Sequence, residues 1–339
     1  MTVSKALAGA LDLHKKIVGA QNIHLRAAEG FMKLSSASAG GKALISRISS
    51  DARIESVCVD IGVLSSFVRG SGNLSLSLKE DRLIISGGKV KGDIPGLSED
   101  SPKIEKTNGV TVPAADAEWL SSIVPLVAMA QLKNGSLAAA CDGKEWRVSC
   151  TDKICGACAF GHGTSKIKFA LVPTDALTLN AIIASTDKAL TFGLSENRLV
   201  VSYPGFTAAI PTIHGVAQTK DVVVQGSKEV ARIDGSELTE AIKAIAPFAS
   251  VKDAAPVTMK LSPKGIQILA TSSAGTMTQT LGGKCVTDAS INLSFELLSG
   301  LTSKIGDEPV SIQVLREEKE ITRLTLKTKH AYYLMLTSV

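Results

Sequence analysis

The chain has 339 residues, 45% of them hydrophobic and 20% charged, with a formal net charge of +5. No apolar run is long enough to span a bilayer, six cysteines without framework spacing argue against a secreted disulfide scaffold, and no leader-like segment precedes the first amphipathic stretch, so a reducing cytoplasm is the expected compartment. The length supplies two or three ordinary cores, which must be aliphatic because aromatics are only 4%, and so small a positive surplus bears on a polyanion only if it is concentrated on one face.

The first expected element is a helix near 5–18. Leu7, Ala10, Leu11, Ile17 and Val18 form an apolar stripe, Lys5, Asp12 and Lys16 share the opposite face, and Ser4 stands where an N-cap is wanted. A strand follows, then the Glu29-Gly30 turn, a second strand over 31–37 and a third. A second helix is expected near 61–68. Residues 74–86 alternate apolar and polar on both sides of Glu80-Asp81, the pattern of a half-buried hairpin. A polar stretch over 98–111 closes this first succession.

The succession then returns twice. A helix near 115–129 precedes the Asp142-Gly143 turn and a strand over 146–150. A helix near 173–185 opens on Pro173, whose missing N–H costs nothing in a first turn. Residues 190–202 repeat 74–86 at a shift of 116 (190 minus 74), and the same shift carries Ile94-Pro95 onto Ile210-Pro211. After a polar stretch at 218–227 comes a helix near 236–248 with Ser236 as its N-cap. The Lys264-Gly265 turn, a strand over 266–270, a helix near 295–304 and a hairpin of 310–314 with 321–326 about Glu317-Glu318-Lys319 complete the third copy. Repetition of this kind marks tandem units. The expected fold is α+β, in three units of two helices and antiparallel sheets each, over 1–110, 111–225 and 226–339.

Residues that could carry chemistry form no convincing centre. Cys150, Cys155 and Cys158, with Cys141 and His162 nearby, have a spacing used for cluster or zinc ligation, but they fall on two strands expected to pair, and a metal or redox protein is a minor reading. Gly-Gly-Lys triplets at Gly40, Gly87 and Gly282 lack the rest of a phosphate loop and read as hairpin turns. The five histidines are scattered, and no nucleophile elbow is present. No catalytic residue, metal or cofactor is expected. A structural β-repeat or virion protein accounts for the repeats but not for the helix pair in each unit.

Several segments carry a resemblance to one family. Leu132-Lys133-Asn134-Gly135, Thr151-Asp152, Tyr203-Pro204-Gly205-Phe206 leading to Ile210-Pro211, and the closing stretch from Ala331 to Val339 resemble stretches of the β subunit of bacterial DNA polymerase III, the sliding clamp, or of a phage-encoded relative. The resemblance covers the whole chain. Lys153-Ile154-Cys155-Gly156 and Ala208 depart from it, standing where the family carries Gly-His-Arg-Leu and an arginine. It implies three clamp units forming half of a six-unit ring, a homodimer that encircles double-stranded DNA without reading its sequence, and no enzyme activity. Basic side chains on lining helices would face phosphate; the candidates are Lys5, Lys15, Lys16, Arg69, Lys243 and Lys304, while the middle helices offer Asp116 and Glu118. The replicative polymerase and the clamp loader would insert a short peptide into a pocket that by resemblance includes Leu132, Thr151, Pro204, Ala209, Leu334 and Met335.

Overall fold

The computed structural model describes residues 3–69, 74–88, 90–129, 136–151, 155–213, 227–251, 255–302, 305–317, 320–329 and 331–336. In chain order, the first part holds α1 (Val3–Val18), β1 (Asn22–Ala28), β2 (Phe31–Ala37), β3 (Ala43–Ser49), β4 (Ile54–Asp60), α2 (Ile61–Arg69), β5 (Ser75–Lys79), β6 (Arg82–Gly87) and β7 (Val90–Pro95). Then come β8 (Val110–Val112), α3 (Ala114–Met129), β9 (Ser136–Asp142), β10 (Glu145–Thr151), β11 (Cys155–His162), β12 (Lys166–Leu171), α4 (Pro173–Ile183), β13 (Leu190–Ser195), β14 (Arg198–Tyr203) and β15 (Phe206–Pro211). The last part holds β16 (Lys228–Asp234), α5 (Gly235–Ala249), β17 (Val257–Ser262), β18 (Gly265–Ser272), β19 (Gly275–Leu281), β20 (Lys284–Cys285), β21 (Ala289–Leu293), α6 (Phe295–Thr302), β22 (Pro309–Glu317), β23 (Glu320–Lys327) and β24 (Ala331–Leu336).

Strand order repeats with the sequence. The four strands between the two helices of each succession, leaving out the two-residue β20 of the third, lie in the order fourth-first-second-third: β4-β1-β2-β3, β12-β9-β10-β11 and β21-β17-β18-β19. The remaining strands form meanders, β5-β6-β7, β13-β14-β15 and β22-β23-β24, and the strand before the helix, β8 or β16, joins the last two of them. Two junctions merge these pieces into larger sheets. β3 pairs with β15, giving eight strands, and β11 pairs with β24, giving nine. The sheets β5-β6-β7 and β21-β17-β18-β19 stay separate, ending on β7 and β19. The chain divides into two compact units, Met1–Glu118 with Leu177–His214 and Trp119–Ala176 with Gly215–Val339, and each contains one of the large sheets.

In the first unit, Leu7 and Leu11 of α1 and Ile61, Leu64 and Val68 of α2 close over Ile23, Leu25, Met32, Leu34 and Val59 of the sheet. Each such side chain contributes about 1.5–3 kcal/mol by burial. One polar group sits under α1: His14 is fully buried, its Nδ1 2.6 Å from Ser36 Oγ and its Nε2 2.9 Å from Ser46 Oγ. A neutral imidazole donates through one nitrogen and accepts through the other, and the two hydroxyls adapt to either tautomer. Burial pushes the His14 pKa down to about 3. The unfolded chain therefore takes up a proton below pH 6.5 that the folded chain refuses, so stability is full above that pH and is lost as pH falls toward 3. Chemical denaturation should show a loss of roughly 2 kcal/mol between pH 6.5 and pH 5 that is absent in His14→Gln. Equal pH slopes in the two proteins would remove His14 as the cause.

Three local expectations are corrected. Ser4 lies inside α1 and is buried, not at a cap. The N-cap of α5 is Asp234, not Ser236: the Asp234 carboxylate accepts from Ser236 N at 3.1 Å and from Ser236 Oγ at 2.9 Å. The helix can start two residues early because Gly235 fits where a Cβ would stand 2.5 Å from the carbonyl oxygens of Gly306 and Glu308. Gly282-Gly283 is not a hairpin turn, since β19 pairs with β18 and β20 pairs with β16; the two glycines carry the chain from one sheet to another.

Candidate functional site

The expected basic residues sit on two helix pairs, each within one unit. α1 packs on α2 and α5 packs on α6. Lys5 and Lys16 are exposed and Lys15 half-buried on α1, Arg69 is exposed at the end of α2, and Lys243 is exposed on α5. They are exposed because the apolar stripes of these helices, Leu7, Leu11 and Val18 in α1 and Leu238, Ile242 and Ile245 in α5, face the sheets. Lys5, Lys16 and Lys243 make no ion pair among the described residues, whereas Arg69 reaches Asp12 at 2.7 Å. Lys304 lies outside the described residues. On α3, Asp116 is buried and only Glu118 presents its charge outward.

The residues expected to line a peptide pocket fall in both units. In the first unit, Pro204 is exposed in the turn between β14 and β15. Beside it the rings of Tyr203 and Phe206 stack with centroids 4.5 Å apart, and Tyr203 Oη lies 3.2 Å from Ser185 Oγ. Ala209 is buried with Ala43 and Val200 beneath Ile104, a packing position. In the second unit the register puts Thr151, Gly156 and Leu334 on one rung of β10, β11 and β24, with Met335 opposite Cys155. Leu132 lies outside the described residues, as do the side chains of Thr151, Leu334 and Met335.

Sequence reasoning missed two polar features. His14 with its serines is one. The other is His24, Cys58 and Glu99, the single group among the described residues with metal-ligand spacing. The cysteines singled out for their spacing behave differently: Cys141, Cys150 and Cys158 are buried on β9, β10 and β11, with Cys150 opposite Ala157 and Cys158 opposite Ser149.

No protein-family model and no curated protein matches the chain. Solved structures do match it from end to end. The DNA polymerase III subunit beta of Pseudomonas aeruginosa superposes with a TM-score of 0.87 at 15% identity, covering 99% of this chain and 98% of the other. The DNA polymerase sliding clamp of Caulobacter crescentus gives 0.85 at 15% over the same shares. The beta subunit of Thermotoga maritima gives 0.84 at 14%, covering 100% and 98%. The chain has the sliding-clamp fold. Clamp folds of this type belong to non-catalytic proteins, and the six helices and four antiparallel sheets found among the described residues agree with it. No helix of the described residues is long and apolar enough to cross a membrane.

Proposed function

We propose that this protein is a DNA polymerase processivity factor: a non-enzymatic ring that encircles duplex DNA in the cytoplasm and tethers a replicative polymerase. The observation that carries this reading is the end-to-end clamp fold, with basic side chains on the outward faces of α1, α2 and α5. A closed ring holds DNA by topology, so its inner wall needs only weak, sequence-independent attraction to phosphate. Primer extension by the cognate polymerase and loader on a long circular template is the test. Product length should rise severalfold when the protein is added, and unchanged product length would refute the role.

The ring reading divides the chain into three clamp units at 1–110, 111–225 and 226–339, and strand order supports it. The third strand of one unit pairs with the last strand of the next, β3 with β15 and β11 with β24. The unpaired members of this series are β19 and β7, both at sheet edges. An antiparallel β19–β7 pairing between two chains would use the same type of junction a third time at each end, closing a head-to-tail dimer of six units.

Partner proteins would bind through a short peptide against Leu334 and Met335 of β24. A groove that buries a few apolar anchors gains most of its affinity from them. Met335→Lys puts a charge that prefers water into such a groove. Polymerase affinity should fall at least about tenfold, roughly 1.4 kcal/mol, with dimerisation and melting temperature near wild type. A sharp drop in melting would instead make Met335 a core residue, and unchanged affinity would place the pocket elsewhere.

A further inference from the structure

His24 and Cys58 are register partners on the neighbouring strands β1 and β4, so their side chains leave the sheet on the same face. The segment after β7 crosses that face and is pinned to it. Leu97 N donates to Cys58 O at 2.8 Å and Ser101 Oγ lies 3.0 Å from Ser35 Oγ, while Gly96 N ties the start of the segment to Asp81 O in the β5–β6 turn at 2.6 Å. These anchors bring Glu99 over the pair. Its Oε1 accepts from Asn22 Nδ2 at 2.6 Å, and its Oε2 accepts from the Cys58 thiol at 3.8 Å. One ligand atom each from His24, Cys58 and Glu99 lies within 4.8 Å of the other two. His24 is only 7% exposed, and its ring makes no hydrogen bond to a described residue, which leaves a nitrogen available as a ligand.

We propose that His24, Cys58 and Glu99 bind one divalent cation of the zinc class, which staples the 96–101 segment onto the first sheet. Imidazole nitrogen, thiolate sulfur and carboxylate oxygen together form a donor set suited to a borderline-soft ion, and three protein ligands leave a fourth position for water on the exposed Glu99 side. In a tetrahedral site the ligand atoms stand about 3.5 Å apart, so each needs to draw inward by roughly an ångström. Glu99 is exposed and free to make that adjustment, while Asn22 holds its other oxygen as an outer partner. Without a cation, burial together with the charge and hydrogen bond of Glu99 pushes the Cys58 thiol up to about 11, and the thiol proton is donated to Glu99. On binding, the sulfur–metal bond replaces the S–H bond and that proton leaves to solvent; the imidazole and carboxylate already offer lone pairs.

The full-length protein, stripped with a chelator, would be titrated with Co²⁺ and then with Zn²⁺. The expected result is one ion per chain, a thiolate-to-cobalt charge-transfer absorption, and loss of that absorption as zinc displaces cobalt. Cys58→Ser should abolish the band, while Cys158→Ser should leave it. Glu99→Gln should weaken binding roughly tenfold or more, since removing a direct ligand costs at least as much as removing an outer partner. Absence of the band at saturating cobalt, or a band that survives Cys58→Ser, overturns the site. If Cys58→Ser does not fold, the exposed Glu99→Gln decides, and unchanged affinity there overturns the proposal. Zinc should also slow proteolysis within 96–101; binding with unaltered cleavage overturns the stapling.

Discussion

Reversing Lys5, Lys16 and Lys243 to Glu in one protein should shorten its retention on closed circular DNA at least about tenfold while leaving the fold intact, because phosphate attraction is a sum over many weak, screened interactions. All three side chains are exposed, on α1 and α5, and none has an ion-pair partner among the described residues. Removing one lysine–phosphate interaction lowers the salt dependence of binding by about one, so a dimer with six altered positions should show a slope lower by up to roughly six. Arg69→Glu alone should have a smaller effect, since Asp12 already engages Arg69 at 2.7 Å. Stability should change by less than about 0.5 kcal/mol per site, with Lys16 near the upper end because it sits in the last turn of α1, where a positive charge favours the helix dipole. Retention times on nicked circles, read against salt, separate the two ways this can fail. An unchanged slope takes these lysines off the inner wall, whereas equal loss on linear and circular DNA would argue against encirclement itself.

The helices and hairpins were legible because their periodicity is strong and their turns carry the required residues. Gly30, for example, takes positive φ in the first turn, as glycine does without steric cost, although Glu29, Glu80 and Glu196 also take it without being glycine. The strand order could not be read, since pairing β3 with β15 joins residues 43–49 to 206–211 and no local pattern encodes a partner so far away. The missed cap at Asp234 shows a related limit. Ser236 and Asp234 are both good caps, and the choice was made by a tertiary constraint, the close approach of the Gly306 and Glu308 carbonyls that only Gly235 tolerates. The candidate DNA side chains were legible as charges on helix faces, because an amphipathic pattern fixes which face is solvated. The cluster of His24, Cys58 and Glu99 was not, because its members come from β1, β4 and an irregular segment and meet only through the β1–β4 register. The cysteines with suggestive spacing sit instead on paired strands, where spacing along the chain says little about distance across a sheet.

A proline in β19 should break the dimer without unfolding the chain, provided it replaces a residue whose N–H points away from β18. Along an edge strand such residues alternate with ones whose N–H bonds inward, so of the adjacent variants Met277→Pro and Thr278→Pro one should spare the chain and the other should not. The sparing variant removes a donor from the outer edge and puts a ring where β7 of the partner would lie. Losing a ladder hydrogen bond and leaving its acceptor unpaired costs about 1–3 kcal/mol, and a two-fold ring contains the junction twice, so the dimer should weaken by roughly 2–6 kcal/mol, about one to four orders of magnitude in dissociation constant. Sedimentation at micromolar concentration should then show a dimer for the wild type, a folded monomer for one variant, and a lowered melting temperature for the other. Two folded dimers would exclude β19 from the interface, and a monomeric wild type would exclude the closed ring. If the chain with the clean monomer also loses retention on circular DNA while keeping its affinity for short linear duplex, the β19 edge is what closes the ring, and topology rather than binding strength holds the protein on DNA.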